Sequence, residues 1–177
     1  MTVSTAIRPA ADEHHPYFAR YITLVPDSDA IEALEHQLTD MMPLLRGLTE
    51  AQGELRYAPG KWSVKQVLGH VIDGERVFAY RALRFGRNDR TPLPGFDENP
   101  YAEEAGSDQR TVASLVDELE HLRRSNIAMY AGLPAEAWAR RGAANESEVS
   151  VRALAFITAG HGWHHMKILR ERYLGGK

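Results

Sequence analysis

The sequence predicts an all-α protein, a four-helix bundle with up-down-down-up order. Three observations carry this. Four segments repeat apolar residues three and four apart, no stretch alternates as a half-buried strand does, and one connection between helices is long. The chain has 177 residues, enough for one domain with its own core.

Residues 1–26 read as an extended N-terminal arm, and residues 27–177 as a single bundle domain. Within the arm, YFARYITLVP is apolar enough to lie on the bundle or to meet a partner subunit. The first helix spans about Asp27 to Leu48, with Ile31, Leu34, Leu38, Met41, Leu45 and Leu48 in one stripe, and Pro43 should bend its last turns. The second opens at Ser63, with Gln66 three residues on as a capping box and Trp62 and Val67 around it, and runs to about Arg87. A crossover over about Asn88 to Arg110 follows. Its TPLPGFDENPY is too rich in proline and glycine for a regular helix, and Leu93 to Tyr101 reads equally as a lid or as plain crossover. A long connection here lets the second and third helices run in the same direction. The third helix covers about Thr111 to Ala131, and PAEAWAR after it suits one short turn. The fourth starts near Ser150 and stops at Gly175-Gly176.

Composition excludes several classes of function. No cysteine is present, which removes disulfides, thiolate nucleophiles and cysteine-ligated metal. The formal net charge of −3 gives no footprint for nucleic acid or anionic lipid. The longest uninterrupted apolar run, Ala153 to Ile157, is far too short for a bilayer, and the first fifteen residues lack a signal peptide's apolar stretch. Cytoplasm is the default compartment.

The eight histidines are the unusual feature. On the fourth helix, at about 100° per residue, His161 and His165 fall on the apolar stripe about 40° apart, and His164 sits at its shoulder about 60° from His161. On the second helix His70 shares a face with Val67, Gly74 and Val77, and Gly74 leaves room beside the imidazole for an ion or ligand. Three inward imidazoles on two helices are costly to bury without a common purpose, and a divalent metal ion supplies one. Three histidine ligands leave coordination positions open, as catalytic rather than structural sites do. His14, His15, His36 and His121 carry no such pattern, and the last two should face solvent.

Other polar residues near these helices read more plainly. Arg81 lies about 20° from the direction of His70, three turns on; it suits an anion clamp, but a snorkelling helix-end arginine is the favoured reading. Asn126 sits in the third helix's stripe, where a register-fixing core amide is favoured over a contact to metal-bound water. Asp73 reads as a solvated flank carboxylate rather than an orienting partner of an imidazole. Trp62, Trp138 and Trp163 read as packing anchors. No catalytic residue is assignable from sequence.

GKWSVKQVLGHVIDGERVFAYRALRFGRNDRTPLPGFDEN, followed downstream by VRALAFITAGHGWHHMKILRERYL, resembles the DinB-like superfamily over about Tyr57 to Leu174. That group includes YfiT-like metal-dependent hydrolases and bacillithiol transferases. The resemblance implies an up-down-down-up bundle with a three-histidine metal site, here His70, His161 and His165. It implies zinc or nickel as the ion and a homodimeric assembly. It also implies an enzyme acting on a small-molecule substrate, in some members by activating a low-molecular-weight thiol for S-transfer. One departure stands out: the family commonly has a glutamate directly after the first histidine of the terminal patch, and this chain has Gly162. The resulting expectation is a metal-dependent hydrolase or thiol transferase. The competing one is a non-catalytic, stress-related bundle that binds metal or a small molecule.

Overall fold

In the computed structural model residues 6–175 are described; residues 1–5 of the expected arm and Gly176 of the expected stop lie outside the described residues. The arm is not extended throughout. Ala11–Glu13 and Pro16–Phe18 form 3-10 turns, and α1 (Ala19–Ile22) is a single helical turn. Pro16 fixes the first φ of its turn, and the His15 ring accepts from the Tyr17 amide. Tyr21, Ile22 and Val25 are buried, which holds the segment on the bundle. Arg8 then closes the C-terminal end of this segment by donating to the carbonyls of Ile22, Val25 and Asp27.

The four expected long helices are present. α2 (Ala30–Arg46) is capped by the Asp29 carboxylate, which accepts from the amides of Ile31 and Glu32, and it continues past Pro43. The single turn α3 (Glu50–Gly53) follows, with its own Thr49–Gln52 capping box. α4 (Val64–Gly86) starts at the Ser63–Gln66 capping box that the sequence specified. The crossover, expected to lack regular helix, contains α5 (Glu98–Glu104). Pro100 falls in its first turn, where a missing N–H breaks no intrahelical bond, and the Asp97 carboxylate caps it. α6 (Val112–Ala131) is capped by Thr111.

A second departure from expectation lies between α6 and the last helix. β1 (Arg141–Ala144) and β2 (Ser147–Ser150) form an antiparallel hairpin. Its two-residue turn, Asn145 and Glu146, has φ of 52° and 61°, the primed geometry that matches strand twist. These strands carry too few residues to show an alternating pattern. They are stabilised from outside: the Leu93 amide donates to the Ala143 carbonyl, and the Asn145 amide to the Leu93 carbonyl. α7 (Val151–Ile168) is capped by Ser150 and widens into a π-turn over Leu169–Tyr173.

The core divides into two clusters, and their membership fixes the helix directions. One joins the start of α2 and of α7 (Leu34, Leu154) to the ends of α4 and α6 (Phe85, Tyr130). The other joins the ends of α2 and α7 (Met41, Met166) to the starts of α4 and α6 (Val67, Leu115). So α4 and α6 run the same way and α2 and α7 run the other way, which is up-down-down-up. Each of α2 and α4 packs against both α6 and α7. Among the described residues, no helix is long and apolar enough to cross a membrane.

Candidate metal centre

His70 stands two turns into α4, so the capping box at Ser63 sets its register against the bundle. His161 and His165 stand one turn apart on the buried face of α7, the most enclosed helix of the four. The contact between α4 and α7 brings the three rings together. The Nε2 of His161 lies 3.0 Å from Nε2 of His70 and 3.1 Å from Nε2 of His165. One nitrogen from each of the three rings lies within 4.8 Å of the others. The rings are 5–9% exposed.

Small residues make this convergence possible. At Gly74 a Cβ would stand 3.0 Å from Cε1 of His161. The space foreseen there for an ion or ligand is therefore filled by the His161 ring itself. At Gly160 a side chain would collide with the Tyr21 carbonyl, so this glycine lets α1 lie across α7. Tyr21 then sets its ring edge-on to His161 at 5.4 Å and reaches His164 at 5.3 Å. Trp62 covers His70 at 4.9 Å between centroids. His164 is half-buried at the shoulder, as its helical angle predicts, and is not in the cluster.

Electrostatics keep the three imidazoles neutral. Burial pushes the His70 pKa down to about 4, against an opposing pull from the Glu98 carboxylate. Burial, then the neighbouring imidazoles, hold His161 and His165 well below the ordinary histidine value. Neutral imidazoles whose Nε2 atoms face one another cannot all be satisfied by shared protons. Nitrogens 2.0–2.1 Å from a tetrahedral zinc ion would stand roughly 3.3 Å apart, close to the separations around His161. The donor set thus fits a divalent ion of the nitrogen-preferring kind.

Behind the rings lies a buried polar network. Arg123 of α6, fully buried, donates to both oxygens of Glu75 of α4 at 2.7 and 2.9 Å. Asn126 Nδ2 also donates to Glu75, at 3.2 Å, so this amide ties helices together. Arg123 also donates to the side-chain oxygen Oε1 of Gln37, and Gln37 Nε2 donates to the Ala159 backbone carbonyl at 2.6 Å. Gly162 abuts the Gln37 amide, where any side chain would intrude. In this chain the volume that a glutamate at 162 would need is held by Gln37.

A cavity of about 400 Å³ opens beside the cluster. His70, His161, Tyr21, Phe78, Glu98 and Arg81 line it, and the tip of the hairpin closes one side. Sequence reading missed Tyr21, Glu98 and the hairpin, because none carries a local signal that ties it to distant histidines. Asp73 is half-buried and makes no hydrogen bond to any of the three rings, and burial raises its pKa. His36 and His121 are exposed, as expected.

A family model described as the DinB superfamily matches residues 33–169. A protein of Bacillus mycoides (strain KBAB4), named by inference a metal-dependent hydrolase, is 28% identical over 148 residues, which is 80% of this chain and 84% of the relative. One of Bacillus cereus (strain G9842), with the same kind of name, is 27% identical over 149 residues, or 80% and 82% of the two chains. The solved structure of YfiT from Bacillus subtilis, described as having an unusual four-helix bundle topology, superposes with a TM-score of 0.67. That match is at 17% identity and covers 96% of this chain and 98% of YfiT. The bundle order, the two-helix histidine cluster and the match across most of the chain lead to one conclusion: the chain belongs to the DinB superfamily.

Proposed function

We propose that the chain is a metal-dependent hydrolase of a small-molecule substrate, with His70, His161 and His165 as ligands to a divalent ion, zinc or nickel. The observation that carries this is the convergence of three neutral, buried imidazole nitrogens, with the His70 and His161 rings lining a cavity. The names of the Bacillus relatives support the same reading. An ion held there supplies Lewis-acid polarisation and makes a nucleophile available near neutral pH.

The chain's own residues do the rest. Tyr21, Trp62 and Phe78 fix the ring planes and exclude water from one side of the cluster. Two carboxylates line the cavity. Glu148 is engaged by Arg141 at 3.0 Å, whereas Glu98 has no ion-pair partner among the described residues. Glu98 is therefore the group placed to accept a proton from the attacking nucleophile.

A second reading, S-transfer from a low-molecular-weight thiol, draws support from the cavity. Its roughly 400 Å³ can admit a cosubstrate beside the group attacked. With no cysteine in the chain, the sulfur would have to come from that cosubstrate.

Elemental analysis of purified protein tests the metal directly. Wild type is expected to carry about one divalent ion per chain and His165→Ala to lose it, together with hydrolysis in a panel of amides and esters. Wild type that takes up no zinc or nickel on titration would end the proposal. Activity only when a thiol is added would select the second reading.

A further inference from the structure

Arg81 behaves unlike a snorkelling arginine. It is only 6% exposed. Its one hydrogen bond among the described residues goes from Nη2 to the Pro94 carbonyl at 2.8 Å, and it has no carboxylate within ion-pair distance. A guanidinium carries five N–H donors, so most of them have no protein acceptor. Burial works against its charge, although an arginine stays protonated at any ordinary pH. A buried cation without a counter-charge is expensive to maintain. Its donors line the same cavity as His70 and His161. Eleven residues separate Arg81 from His70, so their Cα atoms lie about 16 Å apart along one face of α4, and helical side chains lean toward the N-terminus. Phe78 occupies the floor between them, with Phe18 edge-on to it at 6.4 Å.

We infer that Arg81 is a subsite for a single carboxylate, carried by an elongated substrate whose apolar or aromatic middle lies against Phe78 and whose reacting bond reaches the histidine cluster. The last element rests on the metal-centre reading above; the anion subsite itself does not. The choice of a carboxylate follows from the lining. Arg81 is the one arginine or lysine among its residues, and of the two carboxylates there Glu148 is paired with Arg141 while Glu98 has no such partner among the described residues. A monoanion matches the single charge of Arg81, whereas a dianion such as a phosphate ester leaves one negative charge unmatched there beside Glu98. The planar guanidinium fork matches a carboxylate in shape.

Calorimetric titration with 4-phenylbutyrate, 4-phenylbutyramide and phenyl phosphate tests the inference on the protein as purified with its metal. Wild type should bind the carboxylate at least tenfold more tightly than the neutral amide. Arg81→Gln should lose about ten- to hundredfold for the carboxylate and leave the amide unchanged, as expected for a charge-assisted hydrogen bond. Arg81→Lys, which keeps charge but not the fork, should lose severalfold for the carboxylate alone, and it is read in place of Arg81→Gln if that variant does not fold. Equal binding of acid and amide by wild type, carboxylate affinity unaffected by either substitution, or tighter binding of the phosphate ester to the metal-free protein would each overturn it. The titrations are repeated after metal removal by chelation. A preference for the carboxylate that persists there belongs to Arg81. A preference that disappears with the metal overturns the subsite and leaves the metal reading intact. A protein that never held metal would defeat that reading while this arm still reports on Arg81.

Discussion

Two residues bear on the proposed site without belonging to its three histidines, Gly74 and Glu98. Gly74 matters because its absent side chain is where His161 lies. Gly74→Ala should push that ring aside and weaken zinc affinity by about ten- to hundredfold, the range seen when a ligand loses an orienting neighbour. Competition with a chromogenic chelator measures this, and unchanged affinity would mean that α4 and α7 can part without cost. Glu98 lies at the cavity wall, close enough for its charge to act on His70. Glu98→Gln should lower kcat about 10²- to 10⁴-fold, as loss of a general base does, with metal content intact. A variant as active as wild type would remove Glu98 from the chemistry. The histidines themselves were legible: their helical angles alone put His70, His161 and His165 inward. Arg81 was not, because an arginine three turns along a helix has the same local sequence whether its head reaches solvent or a cavity.

At the scale of elements, caps and periodicity made the long helices readable. The start of α4 is the clearest case, since Ser63 and Gln66 exchange hydrogen bonds across the first turn. Ser63 Oγ also donates to Asp108, so the same hydroxyl ties the start of α4 to the end of the crossover. Ser63→Ala should therefore destabilise the protein by about 1–2 kcal/mol, the upper part of the range for a lost N-cap. Chemical denaturation would register it, and a change within error would show that the Asp108 contact and the cap carry little of the stability. The short elements were not legible. Among them α1, α5 and the hairpin β1–β2 are each too short to repeat a period, and each is held by contacts distant in sequence: Tyr21 on Gly160, α5 against α4, and Leu93 against Ala143 and Asn145. These same elements wall the cavity, so the parts of the chain that shape it were the parts hardest to foresee.

Over the whole molecule, burying three neutral imidazoles links stability to pH. An unfolded histidine titrates near 6.5, while His70 in the fold titrates near 4. Between those values the unfolded chain binds more protons, so stability falls as pH drops from about 6.5 toward 4. His70 alone accounts for about 3 kcal/mol by this reasoning, and His161 and His165 act in the same direction. Metal-free protein should show this as a melting temperature that declines through that window. Replacing all three histidines by glutamine should flatten the profile, and an equally steep one would place the titration elsewhere. The sequence by itself determined the bundle, its helix order and which histidines turn inward, because periodicity and capping are properties of neighbours along the chain. Only the tertiary structure decided that Gly74 admits a ring, that Gln37 holds the volume beside Gly162, and that Glu98 and Arg81 share a cavity with His70. Those relations depend on distances between helices and loops far apart in the chain, and packing sets such distances without leaving a trace in any local pattern of residues.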